Sequence, residues 1–261
     1  MSRHFPPPLL PGLTALLLLA VPAGAAQGSA SPAEPEFIIT DRPDFTESTL
    51  AVPRRTVQIE AGLTWLRGSD GTKTLNLPET LLRWGVGGKT EVRLGIPDAL
   101  FQRSPQRITG LSDTYLGFKR ELGKYGGFDL AIIPAINLPT GSAGFSTGGV
   151  DPEFVVAWAR DLGGSWAVSG LIGAAWLRDT GGRNLSPFVT VSVGRPIRGR
   201  LSTFLEYAGT FPEHGSDSQL LHHGYLYLLN RNSQIDIHGG FGLVRAAPDF
   251  FIGAGYSVRF R

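Results

Sequence analysis

The C-terminal stretch of the chain alternates between apolar residues and polar or small residues. It reads FFIGAGYSVRFR from Phe250 to Arg261. One side of an extended chain would carry the apolar residues Phe250, Ile252, Ala254, Tyr256, Val258 and Phe260. The other side would carry Phe251, Gly253, Gly255, Ser257 and Arg259. Because successive side chains of a strand point to opposite faces, the pattern predicts a strand with one apolar face and one mainly polar face.

The same alternation recurs along the chain in segments of strand length that are bounded by Gly, Pro, Asp or Asn, and it predicts about twelve strands. They are Thr56–Leu66, Leu75–Val86, Thr90–Ile96, Ser112–Arg120, Phe128–Leu138, Asp151–Leu162, Ser165–Trp176, Leu185–Gly194, Leu201–Thr210, His222–Asn230, Gln234–Leu243 and Phe250–Phe260. The chain is therefore predicted to be all-β.

The connections between these strands differ in length in a regular way. Every second connection is a tight turn: Gly87-Gly88-Lys89, Gly123–Gly127, Gly163-Gly164, Pro196–Arg200 and Arg231-Asn232-Ser233. The intervening connections include the long loops Pro97–Leu111, Pro139–Val150 and Phe211–Leu221. Short turns at a periplasmic rim and longer loops at the other rim are typical of membrane barrels. We therefore predict an antiparallel transmembrane β-barrel of about twelve strands, closed by pairing of the last strand with the first.

Aromatic residues distinguish this barrel from a soluble β-sandwich, which also has one apolar face. The apolar parity carries Trp65, Trp84, Trp158, Trp166 and Trp176, which are all five tryptophans, together with Tyr207, Tyr225, Tyr227 and Tyr256. The tryptophans lie mostly near strand ends, where a barrel meets the two membrane interfaces. The apolar face is therefore predicted to face lipid.

Charged residues of both signs share the opposite parity in mid-strand. They are Glu60, Arg83, Glu91, Arg93, Asp113, Lys119, Asp129, Glu153, Glu206, Asp236, His238 and Arg259. Each would cost roughly 2 to 4 kcal/mol in hydrocarbon. We therefore predict that they line the lumen, either as selectivity residues or as partners that stabilise one another.

Composition narrows the class of protein further. With 35 Gly and 19 Pro, and with no run of about 18 apolar residues after the N-terminus, the chain is not a helical membrane protein. The absence of cysteine fits export into an oxidising compartment. A net charge of +2 with scattered basic residues excludes nucleic acid as a partner.

The N-terminus has the order of a secretory signal peptide. Arg3 and His4 precede an apolar run from Leu9 to Val21, and small residues follow. Residues 1–26 are therefore predicted to be a signal peptide that directs the protein to the bacterial outer membrane. Residues 27–54 form a polar segment, predicted to be a periplasmic leader or a plug of the lumen, and residues 55–261 form the barrel.

Charges alternate in the polar segment around Asp41, Arg42 and Asp44. The segment is attached directly to the first strand, so its charges have charged partners within reach. The plug hypothesis predicts that this part of the chain enters the periplasmic mouth and pairs with Arg83, Arg93 or Glu60.

Five runs are distinctive: Thr40–Ser48 (TDRPDFTES), Pro78–Gly85 (PETLLRWG), Gly110–Lys119 (GLSDTYLGFK), Pro134–Gly141 (PAINLPTG) and Asp151-Pro152-Glu153. Together they resemble a bacterial outer-membrane transporter family that is named for the MetA pathway of phenol degradation. The likeness spans most of the chain. It implies passage of aromatic compounds, for which a path would run beside Tyr115, Phe188, Phe204 and Phe251.

A barrel of about twelve strands leaves a narrow lumen, so the leading hypothesis is a channel for small solutes that needs no cofactor. The expected partners are outer-membrane lipid, small solutes and, through the C-terminal strand, the barrel-assembly machinery. One alternative is a non-transporting structural barrel that is sealed by ion pairs. The other is an outer-membrane lipid hydrolase or a metal site, which would draw on Glu213, His214, Ser216, Asp217, Ser218, His222 and His223. No nucleophile motif surrounds these serines, so we predict neither catalytic nor metal-binding residues.

Overall fold

The computed structural model describes residues 37–179 and 181–261. The predicted signal peptide, residues 1–26, lies outside the described residues, as do residues 27–36 of the polar segment. The strands are β1 (Val57–Arg67), β2 (Lys73–Leu77), β3 (Leu81–Gly87), β4 (Thr90–Gly95), β5 (Ala99–Ser104), β6 (Gln106–Leu111), β7 (Thr114–Tyr125), β8 (Phe128–Leu138), β9 (Asp151–Gly163), β10 (Trp166–Asp179), β11 (Gly182–Arg198), β12 (Leu201–Thr210), β13 (Ser218–Asn230), β14 (Ser233–Gly242) and β15 (Phe250–Phe260). None of the described residues belongs to a helix that is long and apolar enough to cross a membrane.

Twelve of these strands close into one antiparallel barrel, in the order β1, β3, β4, then β7 to β15. The seam is formed by β15 and β1, which pair from Val57 opposite Phe260 to Arg67 opposite Phe250. The predicted all-β barrel and its closure by the last strand are confirmed. Because each strand of the ring is paired on both sides, the ring has no open edge and its ladders satisfy the backbone N–H and C=O groups that they join.

The remaining strands β2, β5 and β6 lengthen one side of the wall. The chain is interrupted between β2 and β3, between β4 and β5 and between β6 and β7, at neighbouring positions around the barrel. Backbone hydrogen bonds from Ile96 to Thr80 (2.9 Å) and from Ser112 to Asp98 (2.9 Å) cross these interruptions. The wall therefore stays continuous on the side of the long loops.

The predicted loop Pro97–Leu111 is wrong, because β5 and β6 form a hairpin there. Its register is set by pairing of β5 with β2 rather than by a buried face. In β6 all residues except Gly110 are exposed, so this strand has no apolar period that a sequence pattern could detect. The loop predicted over Phe211–Leu221 is also shorter, since β13 begins at Ser218.

Tight turns join the strands at the opposite rim, as predicted. The connection between β7 and β8 consists of Gly126 and Gly127, with φ values of 57° and 85°. This left-handed backbone is readily adopted by glycine and fits a two-residue hairpin. Strand β7 therefore extends to Tyr125, beyond the Arg120 that the sequence pattern gave.

The two faces of the wall have the predicted parity. All five tryptophans face outward, with Trp65 and Trp176 near the long-loop rim and Trp84, Trp158 and Trp166 near the short-turn rim. Ile172 is 61% exposed and Ile237 is 53% exposed on the outer face. Such an apolar belt between two aromatic bands is typical of a barrel wall that faces lipid.

The inner face is divided into a charged side and an apolar side. Strands β1, β3, β4 and β7 carry buried Glu60, Arg83, Glu91, Arg93 and Lys119. Strands β8, β9 and β10 contribute a buried apolar patch of Ala131, Ile133, Val155, Ala157 and Leu171, against which Phe188 packs. The charged side holds most of the candidate site.

Candidate functional site

Residues 37–56, called here the inner segment, lie inside the barrel. Both ends of the inner segment are held at the short-turn rim: Ile38 N donates to Arg231 O (2.8 Å) and Arg55 N donates to Gly85 O (2.8 Å). Between these ends the segment reaches toward the other rim, where Phe45 packs in a buried cluster with Leu66. The inner segment therefore enters and leaves the lumen through the same mouth and fills most of its height.

Wall carboxylates hold the backbone of the inner segment, which has no regular secondary structure. Glu60 accepts hydrogen bonds from Asp41 N (2.8 Å) and Arg42 N (2.9 Å), and Glu91 accepts one from Val52 N (2.6 Å). A buried N–H group must find a partner, and a carboxylate is a strong acceptor. Carboxylates on the wall thus replace the hydrogen-bond partners that a strand or helix would give.

The carboxylates of the inner segment bind wall cations in return. Asp41 lies 3.2 Å from Arg83, 2.6 Å from Arg93 and 2.9 Å from Lys119. Glu47 lies 2.9 Å from Arg93 and 3.3 Å from Lys119. All five side chains are at most 1% exposed, so solvent does not reach this group of charges.

Arg42 crosses the lumen in the other direction. Its guanidinium lies 3.0 Å from Glu79 and 3.4 Å from Asp236. Gly62 of β1 and Gly255 of β15 lie directly beneath it, and a Cβ atom at either glycine would collide with the guanidinium. The wall therefore provides a recess at the β1–β15 seam that fits this arginine.

A second attachment lies on β12 and β13. Glu206 accepts hydrogen bonds from Phe45 N (2.8 Å) and from Thr46 N (2.7 Å) and Thr46 Oγ1 (2.6 Å). His222 Nδ1 lies 2.8 Å from Glu206, and His222 Nε2 lies 2.9 Å from His238 Nδ1. This chain of polar groups fixes the tip of the inner segment.

The ring of Phe45 occupies an aromatic pocket of the wall. Its centroid lies 4.8 Å from that of His222 and 5.9 Å from that of Phe251, and Phe204 lies on the other side of His222 at 5.0 Å. Such tilted ring pairs contribute roughly 0.5–1.5 kcal/mol each beyond the area they bury. The lumen therefore contains a site that accepts a phenyl ring.

The structure brings most of the predicted lumen residues to the inner segment. Glu60, Arg83, Glu91, Arg93, Lys119, Glu206, Asp236 and Arg259 contact it directly, and Asp44 of the segment accepts a hydrogen bond from Ser192. His238 is connected to the inner segment indirectly, through His222. Glu153 is buried and faces the lumen.

Two predicted residues lie elsewhere. Asp113 binds Gly141 N in the loop after β8 (2.8 Å). Asp129 lies at the short-turn rim, 45% exposed, beside Lys124. Asp113 lies in the interruption between β6 and β7, and Asp129 lies at the start of β8 at the short-turn rim, so neither residue joins the group around the inner segment.

Sequence reasoning missed Glu47, Glu79 and the lumen position of His222. Glu47 lies in a stretch without period, and Glu79 lies in a strand interruption. His222 begins the predicted strand His222–Asn230 but was considered for a role only in a hydrolase or metal site, whereas in β13 it has inward parity, a signal that the alternation HHGYLYLL already contained. Within the described ranges 37–179 and 181–261, no group of three or more His, Cys, Asp or Glu residues is arranged to hold a metal ion.

Comparison with known proteins identifies the family. The family described as "Putative MetA-pathway of phenol degradation" matches residues 40–260. The chain belongs to this family. The match begins at Thr40, so it includes residues 40–56 of the inner segment as well as the whole barrel. No curated protein matches the chain.

Solved structures show the same fold at low sequence identity. The COG4313 outer membrane channel from Pseudomonas putida F1 is 12% identical with a TM-score of 0.60, over 81% of this chain and 98% of that one. The NanC porin is 9% identical with a TM-score of 0.55, over 77% and 98%. The KdgM porin, solved in complex with oligogalacturonate, is 9% identical with a TM-score of 0.51, over 79% and 99%. This family member therefore has the fold of outer-membrane channels.

Electrostatics distinguish the two carboxylates of the inner segment. Burial by itself would raise the pKa of Asp41, but Arg83, Lys119 and Arg93 together lower that pKa below its ordinary value. For Glu47, burial prevails over Arg93 and Lys119 and raises the pKa to about 7. Asp41 is thus an anion at all ordinary pH values, whereas Glu47 titrates near neutrality.

This difference predicts a pH dependence of lumen closure. Glu47 has a pKa of about 7 inside the barrel and 4.5 as its ordinary value, so the closed state binds the extra proton between these pH values. The proton therefore stabilises the closed state fully below pH 4.5, and this stabilisation is lost as the pH rises through 7. We expect ion conductance to rise by up to about tenfold per pH unit between about pH 5 and 7 and then to level off.

Single-channel recording of wild type and Glu47→Gln across this pH range checks the prediction. The variant should lose most of the pH dependence, because it removes the Glu47 carboxyl and leaves the charged and titratable groups that surround it in place. They are Asp41, Arg83, Arg93, Tyr115, Lys119 and Glu153. Equal pH dependence of the two proteins would contradict the assignment to Glu47.

Proposed function

We propose that the protein is an outer-membrane channel for small solutes, which the inner segment closes in the state described above. The observation that carries this proposal is that a twelve-stranded lumen is filled by a separate polar segment rather than by the side chains of its own wall. Eight strands give an interior that side chains fill, whereas a larger ring leaves space along its axis. Between its two ends the segment is held to the wall through side-chain contacts, so this part can leave the space while the wall stays intact.

The short-turn rim is proposed to face the periplasm, as in other membrane barrels. Both ends of the inner segment lie at this rim, beside Arg231 and Gly85. Export by the N-terminal signal and insertion through the C-terminal strand belong to the same proposal. The segment would then open the channel by moving toward the periplasm, and the long-loop rim would admit solutes from outside.

Aromatic compounds are the solute class that the family description suggests. The wall supports this finer proposal through the pocket that Phe45 occupies, whose ring contacts include His222 and Phe251. Tyr115, Phe188 and Phe204, which the sequence placed on an aromatic path, also face the lumen. When Phe45 leaves the pocket, a solute ring of similar size could take its place.

Planar-bilayer recording of the full-length exported protein tests the proposal. We expect discrete openings, and we expect the neutral solute phenyl glucoside to reduce the open-channel current more strongly than methyl glucoside. One ring pair is worth about 0.5–1.5 kcal/mol, which corresponds to a difference of roughly 2- to 10-fold in the blocking concentration. Phe251→Ala should remove this difference, whereas Phe241→Ala on the outer face should leave it unchanged.

The possible outcomes test the channel function and the aromatic site separately. Openings with equal block by both glucosides would retain the channel and exclude the aromatic site. A protein that inserts but passes neither ions nor solutes under any condition would instead be a structural barrel with a sealed lumen, the alternative that its buried ion pairs favour.

A further inference from the structure

The cationic side of the lumen carries more positive than negative charge of its own. Arg83, Arg93 and Lys119 project from the neighbouring strands β3, β4 and β7, and Arg83 lies opposite Arg93 in the register. Among the residues that the structure describes, two wall carboxylates, Glu60 and Glu91, contact these cations. The wall therefore leaves part of the charge for a partner that is not a wall residue.

Arg83 makes most of the ion-pair contacts that the wall carboxylates Glu60 and Glu91 offer. Its guanidinium binds Glu60 at 2.8 Å and both oxygens of Glu91 at 2.9 and 3.0 Å. Arg93 shares one oxygen of Glu91 at 2.9 Å, and Lys119 lies 3.9 Å from it. Arg93 and Lys119 are consequently the two cations that depend on an external anion.

Two carboxylates of the inner segment lie close to both Arg93 and Lys119. Arg93 places Nη1 2.6 Å from Asp41 and Nη2 2.9 Å from Glu47. Lys119 Nζ lies 2.9 Å from Asp41 and 3.3 Å from Glu47. Each cation thus bridges the same two side chains, and the site holds a pair of carboxyl groups rather than one.

The fit of Glu47 is incomplete. Arg93 Nη2 is close to Glu47, but the geometry is not that of a hydrogen bond, and no described residue donates an aligned hydrogen bond to either oxygen of this carboxylate. A buried anion without aligned donors retains part of its desolvation cost. A free ligand, which can adjust the position of both of its carboxylates, would satisfy the two cations better than a residue that is fixed in a chain.

We propose that Arg93 and Lys119 form a binding site for a small dicarboxylate in the open channel, and that Asp41 and Glu47 occupy this site as an internal substitute for the solute. The inference rests on the proposed channel function and adds to it a class of solute. A dicarboxylate would compete with the inner segment for the two cations. Binding of the solute would therefore favour the open state, because a ligand shifts an equilibrium toward the state that binds it more tightly.

The experiment uses the full-length protein and two probes of similar size, succinate and the uncharged succinamide. Binding in detergent is measured by titration calorimetry, and opening frequency is measured in planar bilayers. We expect succinate to bind at least tenfold more tightly than succinamide and to raise the opening frequency, which succinamide should not do.

Variants on one strand supply the matched control. Lys119→Met should weaken succinate binding at least tenfold, whereas Lys124→Met should leave it unchanged, because Lys124 lies on the same strand at the rim and is 64% exposed. If Lys119→Met fails to fold, the double variant Asp41→Asn/Glu47→Gln provides the opposite test. It removes the competing carboxylates and should tighten succinate binding at least tenfold.

Each outcome decides a separate point. Equal binding of succinate and succinamide, or equal binding by Lys119→Met and Lys124→Met, would overturn the site. Succinate binding that depends on Lys119 in a protein that never conducts would retain the site and overturn the channel. Openings that succinate neither blocks nor stimulates, in a protein that does not bind it, would retain the channel and overturn the site.

Discussion

Replacement of Arg93 by methionine is expected to raise the conductance of the protein at least tenfold. The arginine is fully buried and lies within 3 Å of Asp41, Glu47 and Glu91. Removal of one partner from a buried ion pair costs about 3–5 kcal/mol, because the remaining charge is left without compensation. The barrel can avoid this cost by releasing the inner segment, since water then solvates the carboxylates.

The wall should survive this change. Its strands are held by backbone hydrogen bonds around a closed ring, and Arg93 contributes none of these through its side chain. A shift of 3 kcal/mol in the balance between closed and open states corresponds to a factor of more than 100, so a tenfold rise is a conservative expectation. Heat-modifiable electrophoretic mobility would report that the variant is folded, and bilayer recording would report its conductance.

Arg67→Met is the matched control. Arg67 is also a barrel-wall arginine with an acidic partner, but it lies at the rim, half exposed and 3.7 Å from Asp249. Exposed pairs of this kind contribute little, so the control should conduct as wild type does.

Glu206→Gln, which weakens the attachment of Phe45 and Thr46, offers a second opening variant. If both opening variants fold and conduct no more than Arg67→Met, the inner segment does not control the lumen.

The wall of the barrel could be predicted from the sequence because apolar outward-facing and polar inward-facing side chains alternate along its strands. In β15, Phe250 and Ile252 are exposed to the outside while Phe251 and Arg259 are buried, in direct agreement with the alternation of the chain. The same rule placed Glu60, Arg83 and Arg93 on the inner face. It failed for β6, where residues on both faces are exposed and no alternation exists.

The interior contacts could be predicted only in part, since they join residues far apart in sequence without a repeating pattern. Charge complementarity suggested that Asp41 would meet Arg83 or Arg93, and the structure has both contacts. The contacts of Glu206 with Phe45 and Thr46, in contrast, depend on the height of the segment in the lumen. That height is fixed by the recess for Arg42 and by the strand register, neither of which is visible in the local sequence.

Residues 37–56 are proposed to close the lumen and to move when the channel opens. A disulfide between the segment and the wall tests this claim directly, because the chain contains no cysteine of its own. Thr46 Oγ1 lies 2.6 Å from Thr190 Oγ1 of β11, so cysteines at these positions would place their sulfur atoms close to bonding distance. Thr114 and Thr140, whose hydroxyls lie 2.7 Å apart at the long-loop rim, form the control pair.

The decisive measurement is the conductance of Thr46→Cys/Thr190→Cys in the Arg93→Met background, before and after reduction of the disulfide. We expect the oxidised protein to conduct at least tenfold less than the reduced one, and the Thr114→Cys/Thr140→Cys control to conduct equally in both states. Full conductance of the oxidised Thr46–Thr190 pair, with the disulfide verified by mass spectrometry, would show that ions pass while the inner segment stays in place, and would contradict the account.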